Sequence, residues 1–393
     1  MITREDIREL AQFNADSDHA CALSFYFEPR TPQNKSHREE AILVKDLVRN
    51  ALRESEKEAK NGCARADLER ILSLAERLHG NQARAKAIFA CSQRNFWREF
   101  DLPALLPGTQ LFVNRLFHLK PLAQLLGAQP RLWVALVDRQ RARFFDLRLD
   151  ELKEREGLFR TPPLRQGRGD GFAGYQGGHS QRRVEDEALH HFKDVAEHLK
   201  RALEAGSFEK LIIGCHDTQW HELEAQLHPY VRKRLLGHFS AEVAKLGGEQ
   251  IREHATRILR ESVDERRRML VREALDQAKS NSRGVTGLRR VLRSLELGEV
   301  QTLLIGDTFH HPAAECPSCG HLDAHVVRQC PACGRETRQL ADVCDAIIPV
   351  AIRRDIELFY VKDDEEFDRA GNIAALLRFR TDQSKGNIIQ AAS

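Results

Sequence analysis

Two short motifs, Cys316-Pro-Ser-Cys319-Gly320 and Cys330-Pro-Ala-Cys333-Gly334, present thiols at the spacing of a metal site. In each, the cysteines straddle a tight turn, and the following glycine permits the positive φ that lets backbone amides approach the sulfurs. Four thiolates so arranged suit a closed tetrahedral zinc site, a zinc ribbon, which is structural and carries no reaction of its own. His310, His311, His321 and His325 lie nearby, but four sulfurs already fill the tetrahedron, so these are read as surface histidines. The second candidate is Gly177-Gly178-His179, flanked by Gln176, Arg182 and Arg183. It closes a stretch from Arg155 to Gly178 so dense in glycine and proline that neither helix nor strand is expected. The composition predicts a long exposed loop, and loops of that length inside a compact domain are usually functional or disordered.

Other matches in the same stretch fail on context. Gly169-Asp-Gly171-Phe-Ala-Gly174 fits a dinucleotide fingerprint in letters alone, because no strand runs into it and no helix springs from its third glycine. Arg168-Gly169-Asp170 spells an adhesion tripeptide without meaning inside a cell, and no Lys-Ser or Lys-Thr follows the glycines to make a phosphate loop. Basic clusters are more informative. Arg165, Arg168, Arg182 and Arg183 surround the loop, and Arg289, Arg290 and Arg293 form another group suited to phosphates. Arg266-Arg267-Arg268 reads as the solvated face of a long helix.

The elements that must position these residues fall into three α/β blocks: 1–129, 130–280 and 281–393. The first opens with a strand at Cys21–Phe27, has charged helical patterns up to Leu52 and over Arg65–Leu78, then strands at Lys86–Cys91 and Gln110–Val113 and a short helix at Pro121–Leu126. The second opens with a hairpin, Leu132–Val137 and Arg141–Leu147. After the loop, Val184, Ala188, Phe192, Val195, Leu199 and Leu203 share a helical face, with Ser180 placed as N-cap. Strands at Leu211–Gly214 and Leu235–Phe239, a helix at Gln219–Leu227 and a long charged helix at Gln250–Ala278 complete that block. In the third, a helix at Leu288–Leu295 and a strand at Val300–Ile305 precede the ribbon, inserted at 312–336. A helix at Thr337–Ile347, a strand at Ile356–Val361 and a last strand or buried turn at Ile373–Phe379 follow, then a polar tail.

With 393 residues, 41% hydrophobic and 7% aromatic, the chain reads as an ordinary soluble protein of several domains. Net charge is only +3, so positive charge acts through local clusters. Nine cysteines, four in the ribbon and Cys21, Cys63, Cys91, Cys215 and Cys344 at apolar positions, point to a reducing, cytoplasmic setting. The N-terminal residues lack a signal-peptide pattern and no apolar run reaches the ~18 residues of a membrane span, so no membrane role is expected.

A long glycine-rich loop ending in Gly-Gly-x before a basic amphipathic helix, in the middle of three α/β blocks, resembles the middle domain of archaeal and eukaryotic class-I release factors. The C-terminal block agrees through Gly287-Leu-Arg-Arg-Val-Leu-Arg-Ser-Leu295, Val300-Gln-Thr-Leu-Leu-Ile-Gly306, the paired knuckles and Gly371-Asn-Ile-Ala-Ala-Leu-Leu-Arg-Phe379. Nearly the whole chain looks like the bacterial, Balon-like branch of the release factor and Pelota superfamily. The resemblance implies a three-domain α/β architecture, with an RNase H-like middle domain and a C-terminal α/β domain carrying an inserted zinc ribbon. It also implies ribosome binding in the A site, in rescue of stalled ribosomes or in hibernation. Ribosomal RNA would be met by Arg168, Arg182 and Arg183, with tRNA and a translational GTPase such as elongation factor Tu as further partners.

In the resembling factors a glutamine follows the two glycines and assists water attack on the peptidyl-tRNA ester. Here that residue is His179, the candidate catalytic group with Gly177 and Gly178. Its backbone N–H can still meet an oxyanion, but the imidazole is shaped differently from an amide, and the expectation leans toward a factor that does not release peptide. The alternatives are a peptidyl-tRNA hydrolase acting in release or rescue through the Gly-Gly-His loop, and a zinc-ribbon module for RNA or protein unrelated to ribosomes. A nuclease is disfavoured, because the core strands offer only Asp138, Asp146 and Asp217 as carboxylates. Asn34-Lys35-Ser36 faintly resembles a stop-codon-reading motif and carries no codon-reading expectation.

Overall fold

The computed structural model describes residues 2–15, 21–28, 38–57, 64–75, 85–102, 108–127, 130–148, 151–155, 157–159 and 177–380. Two compact units result, one from Met1–Ala128 with Arg267–Ser393 and one from Gln129–Arg266.

The first segment opens with α1 (Arg4–Gln12), started by a capping box in which the Asp6 N–H donates to the Thr3 hydroxyl (3.1 Å) and the Thr3 N–H to the Asp6 carboxylate (2.7 Å). It continues with β1 (Ala22–Phe27), α2 (Arg38–Lys57), α3 (Arg65–Ala75), β2 (Ala85–Cys91), β3 (Phe96–Leu102), β4 (Gln110–Asn114) and α4 (Lys120–Gly127). The strands form an antiparallel sheet in the order β3-β2-β1-β4. Every β1 residue is buried because both faces are covered: Leu23, Phe25 and Phe27 pack with Val44, Val48, Leu68 and Ile71, while Tyr26 meets the edge of Phe89.

The middle unit contains β5 (Leu132–Val137), β6 (Arg141–Arg148), β7 (Glu151–Glu154), β8 (Leu158–Phe159), α5 (Gly177–Glu204), β9 (Lys210–Cys215), α6 (Asp217–Gln226), α7 (Pro229–Arg232), β10 (Leu235–Ser240) and the part of α8 (Gly248–Lys279) up to Arg266. Its mixed sheet runs β10-β9-β5-β6-β7, with β8 beside β6; β10, β9 and β5 are parallel, and β5, β6 and β7 antiparallel. The continuous apolar run of β5 follows from burial on both faces. Trp133, Ala135 and Val137 face a core with Phe192, Val195 and Leu199 of α5, and Leu132, Val134 and Leu136 face one with Ile251 and Ala255 of α8. Each large apolar side chain so buried contributes roughly 1.5–3 kcal/mol.

Beyond α8 come β11 (Gly284–Thr286), α9 (Leu288–Glu296), β12 (Val300–Gly306), β13 (Ala313–Glu315), β14 (Leu322–Asp323), β15 (Arg338–Leu340), α10 (Cys344–Arg353), β16 (Glu357–Val361), α11 (Glu365–Arg369) and β17 (Ile373–Leu377). One sheet has the order β11-β17-β12-β16 and a small one β14-β13-β15. Val271, Ala274 and Leu275 of α8 share a core with Leu304, Ala374 and Leu376.

Four expectations are corrected. The helix expected at Thr337–Ile347 is split: Arg338, Gln339 and Leu340 pair with Glu315, Ala314 and Ala313, and helix begins only at Cys344. The loop expected from Arg155 contains β8, whose Leu158 pairs with Ala142, and ends at Gly177. Ser180 therefore lies inside α5 and not at its N-cap. Cys21 is disulfide-bonded, so not every cysteine outside the ribbon is a reduced core thiol. Cys91, Cys215 and Cys344 are buried free thiols, as expected.

Candidate metal centre and the Gly-Gly-His segment

The ribbon is built from two matched knuckles. The Gly320 N–H donates to the Cys316 carbonyl (2.9 Å) and the Cys316 N–H to the His321 carbonyl (2.9 Å); the Gly334 and Cys330 N–H groups repeat the pattern on the Cys330 and Arg335 carbonyls (both 2.8 Å). Gly320 and Gly334 sit at φ of +73° and +74°, where a side chain would strain the backbone. β13 joins the two halves, pairing with β14 behind the first knuckle and β15 behind the second.

The four cysteine sulfurs lie within 4.8 Å of one another. Cys316 Sγ is 3.5 Å from Cys333 Sγ, and Cys319 Sγ is 3.6 Å from Cys330 Sγ. A tetrahedron with metal–sulfur bonds of ~2.3 Å has sulfur–sulfur edges of about 3.8 Å, so these thiols suit a small cation with little rearrangement. Their electrostatics point the same way. Amides of Cys319 and Ser318 draw the Cys316 thiol down to about 6. On Cys319 the His321 amide acts downward, but burial and the neighbouring sulfurs prevail and push it up to about 12. Four thiols this close cannot all ionise without a positive charge among them. The cluster can therefore hold a metal ion. Of the nearby histidines, His321 is engaged by Glu296 (2.6 Å) and His311 bonds the Pro312 carbonyl (2.6 Å).

Gly177, Gly178 and His179 form the first turn of α5, with Arg182 and Arg183 in its next turn. Arg168 and the preceding glycines lie outside the described residues, as do Asn34, Lys35 and Ser36. By helix geometry the amides of this first turn, His179 among them, have no intrahelical acceptor. Among the α5 residues whose side chains are described, Ala188 is the first in the core, eleven positions and about 16 Å of helix rise beyond Gly177. Two of the carboxylates weighed for nuclease chemistry, Asp138 and Asp146, have structural roles. Asp146 is buried and paired with Arg155 (2.9 Å) and Arg148 (3.2 Å), and Asp138 accepts the Gln140 and Arg141 N–H groups (2.8 and 2.7 Å) to close the β5–β6 turn.

Residues 118–260, which include the Gly-Gly-His segment, match the family model of bacterial archaeo-eukaryotic release factor family 10. The chain is similar to proteins of the release factor and Pelota superfamily. It is 26% identical over 317 residues to peptide chain release factor subunit 1 of Pyrococcus abyssi, covering 72% of this chain and 75% of that protein. An archaeal translation termination factor of known structure aligns with 96% of this chain and 99% of its own at 15% identity and a TM-score of 0.25. A ribosome-bound archaeal Pelota, solved with ABCE1, aligns with 77% of this chain and 79% of its own at 15% identity and a TM-score of 0.40.

Sequence reading missed a polar cluster inside the unit formed by the two end segments. His118 Nδ1 lies 2.6 Å from Asp345 Oδ1, Asn114 Nδ2 donates to Asp345 Oδ2 (2.9 Å), and the His118 N–H donates to Ser24 Oγ (2.9 Å). Tyr26 OH closes the cluster on the His118 carbonyl, and burial first, then Asp345, pushes its phenol upward. Nearby, Gln124 donates to Asp307 (2.7 Å) and Lys120 to the Phe309 carbonyl (3.0 Å). His118 and Asp345 stand 227 positions apart, so no sequence pattern announces them.

Proposed function

We propose that this protein is a ribosome-associated translation factor that enters the A site, in rescue of stalled ribosomes or in hibernation, without releasing peptide. The observation that carries the reading is the family match over residues 118–260, because that span contains Gly177-Gly178-His179 at the N-terminal end of α5. In this reading the first turn of α5 points toward the peptidyl-transferase centre. Gly177 and Gly178 admit the backbone, Arg168, Arg182 and Arg183 meet ribosomal RNA phosphates, and a GTPase such as elongation factor Tu and tRNA are the further partners. Segments 1–129, 130–280 and 281–393 act as the three working domains, in the cytoplasm where ribosomes are found. Among the described residues no helix is long and apolar enough to cross a membrane.

Absence of release follows from the chemistry of position 179. The His179 amide, which has no intrahelical acceptor, would donate to an oxyanion, a contribution worth ~3 kcal/mol where it is correctly aimed. A ring in place of a flexible amide changes both the volume and the polarity where water would be held. Zinc is the metal proposed for Cys316, Cys319, Cys330 and Cys333, because four sulfur ligands in a tetrahedron suit it. The test is co-sedimentation with ribosomes followed by mapping of the bound site. An A-site footprint, weakened by Arg182→Glu with Arg183→Glu in a salt-dependent manner, supports the reading; no ribosome binding by metal-replete protein overturns it.

A further inference from the structure

The ribbon and α9 share a feature that this reading leaves unused. α9 buries Val291, Leu292 and Leu295 and turns Arg289, Arg290 and Arg293 to solvent. At 100° per residue, Arg289 and Arg293 lie one above the other on a single row and Arg290 beside them. Several helical arginines among the described residues have carboxylate partners on their own helix: Arg65 with Glu69, Arg201 with Glu197, Arg252 with Glu249 and Arg369 with Glu365. On α9 the carboxylate at the matching position is Glu296, three residues after Arg293, and it is engaged elsewhere. Its Oε1 accepts the Leu322 N–H (3.1 Å) and pairs with His321 Nδ1 (2.6 Å), both in the first knuckle. The folded ribbon thus draws away the counter-charge of α9.

The geometry points to the α9 face as an RNA-docking surface that binds the phosphodiester backbone through Arg289, Arg290 and Arg293. This rests on the ribosomal reading and adds a second contact, far in sequence from Arg182 and Arg183. Guanidinium forks suit phosphate oxygens, and a cluster of them whose helix-mate carboxylate, Glu296, is engaged by the ribbon is a local positive field in a chain whose net charge is only +3. RNA is favoured over an acidic protein partner by what surrounds the arginines. The exposed large apolar residue next to them along the helix is Leu297 (49% exposed), whereas protein interfaces are built on a desolvated apolar and aromatic centre. Nucleic-acid interfaces are more polar and more positively charged.

The experiment uses the full zinc-loaded chain and a fluorescent 20-nucleotide RNA hairpin, with affinity read by anisotropy over a salt series, and poly-glutamate as a second probe. A variant with R289Q, R290Q and R293Q removes three phosphate contacts; R201Q, taken from a paired arginine, is the control. The expected result is at least a tenfold loss of affinity and a log–log salt slope shallower by about 2 to 3, with R201Q unchanged. A second variant, Glu296→Gln, keeps the arginines and should retain hairpin binding. An unchanged slope in the triple variant at normal zinc content and circular dichroism overturns the proposal, as does stronger binding of poly-glutamate than of RNA. Ribosome co-sedimentation in parallel separates the two claims. Hairpin binding that depends on these arginines in a chain that ignores ribosomes upholds this surface and removes the A-site reading, whereas A-site binding with arginine-independent hairpin affinity does the reverse.

Discussion

Asp345→Ala should destabilise the unit formed by the two end segments by roughly 3 kcal/mol. Asp345 lies in the first turn of α10, where a carboxylate is favoured by the helix amides, and its side chain is 15% exposed against 9% for His118. Asp345 Oδ1 lies 2.6 Å from His118 Nδ1, and Asn114 Nδ2 donates to Asp345 Oδ2 at 2.9 Å. Removing Asp345 leaves the nearly buried His118 ring nitrogen and the half-buried Asn114 amide without this partner, at ~1.5 kcal/mol each. At about 2–4 °C per kcal/mol for a unit of this size, the corresponding calorimetric transition should fall by roughly 10 °C, while that of the middle unit stays in place. A double-mutant cycle with His118→Ala isolates the pair and should give a coupling above ~1 kcal/mol. Coupling below about 0.3 kcal/mol, or equal shifts of both transitions, would show that the contact holds nothing together.

Elemental analysis of metal-replete protein should find one zinc per chain, and Cys319→Ser should lose it and unfold the ribbon locally; undiminished metal in that variant contradicts the four-sulfur site. Gly284→Ala should cost ~3 kcal/mol or more in thermal melts, because its Cβ would lie 2.3 Å from the Ala274 carbonyl oxygen and 2.5 Å from the Ala278 nitrogen of α8; a loss under ~1 kcal/mol would show that α8 moves freely there. The Arg143 guanidinium, hydrogen-bonded at 2.7 Å, holds the Glu154 carboxyl below its ordinary 4.5, so an NMR titration should show the depression and its loss in Arg143→Leu. The sign is that of a depressed carboxylate: its contribution is present above the unfolded pKa and fades as pH falls through the folded one.

Buried strands and amphipathic helices were legible because their causes are local. β1, β2, β5 and β9 announce themselves as apolar runs, and α5 through Phe192, Val195 and Leu199 at helical spacing. β3 was missed because Phe96-Trp-Arg-Glu-Phe-Asp-Leu102 is half exposed and charged, although Trp97 stacks under Arg70 (3.8 Å). α1 had a usable signal in Thr3 and Asp6 that was not read. Arg338–Leu340 follows the ribbon with helix-compatible residues, but its backbone is claimed by β13, a tertiary demand no propensity encodes. The cysteine cluster was legible in full, because one short stretch contains all four sulfurs. The His118–Asp345 cluster was not, because it exists only once distant segments meet.

The central claim is tested most directly by release of labelled peptide from defined ribosome complexes, measured beside ribosome binding, for the wild-type chain and His179→Gln. We expect the wild type to bind without appreciable release, and His179→Gln to raise release while binding is nearly unaltered. Gly178→Ala should weaken binding in either background. Rapid release by the wild-type chain, lost in His179→Ala, would contradict a non-hydrolytic factor and make the protein a peptidyl-tRNA hydrolase.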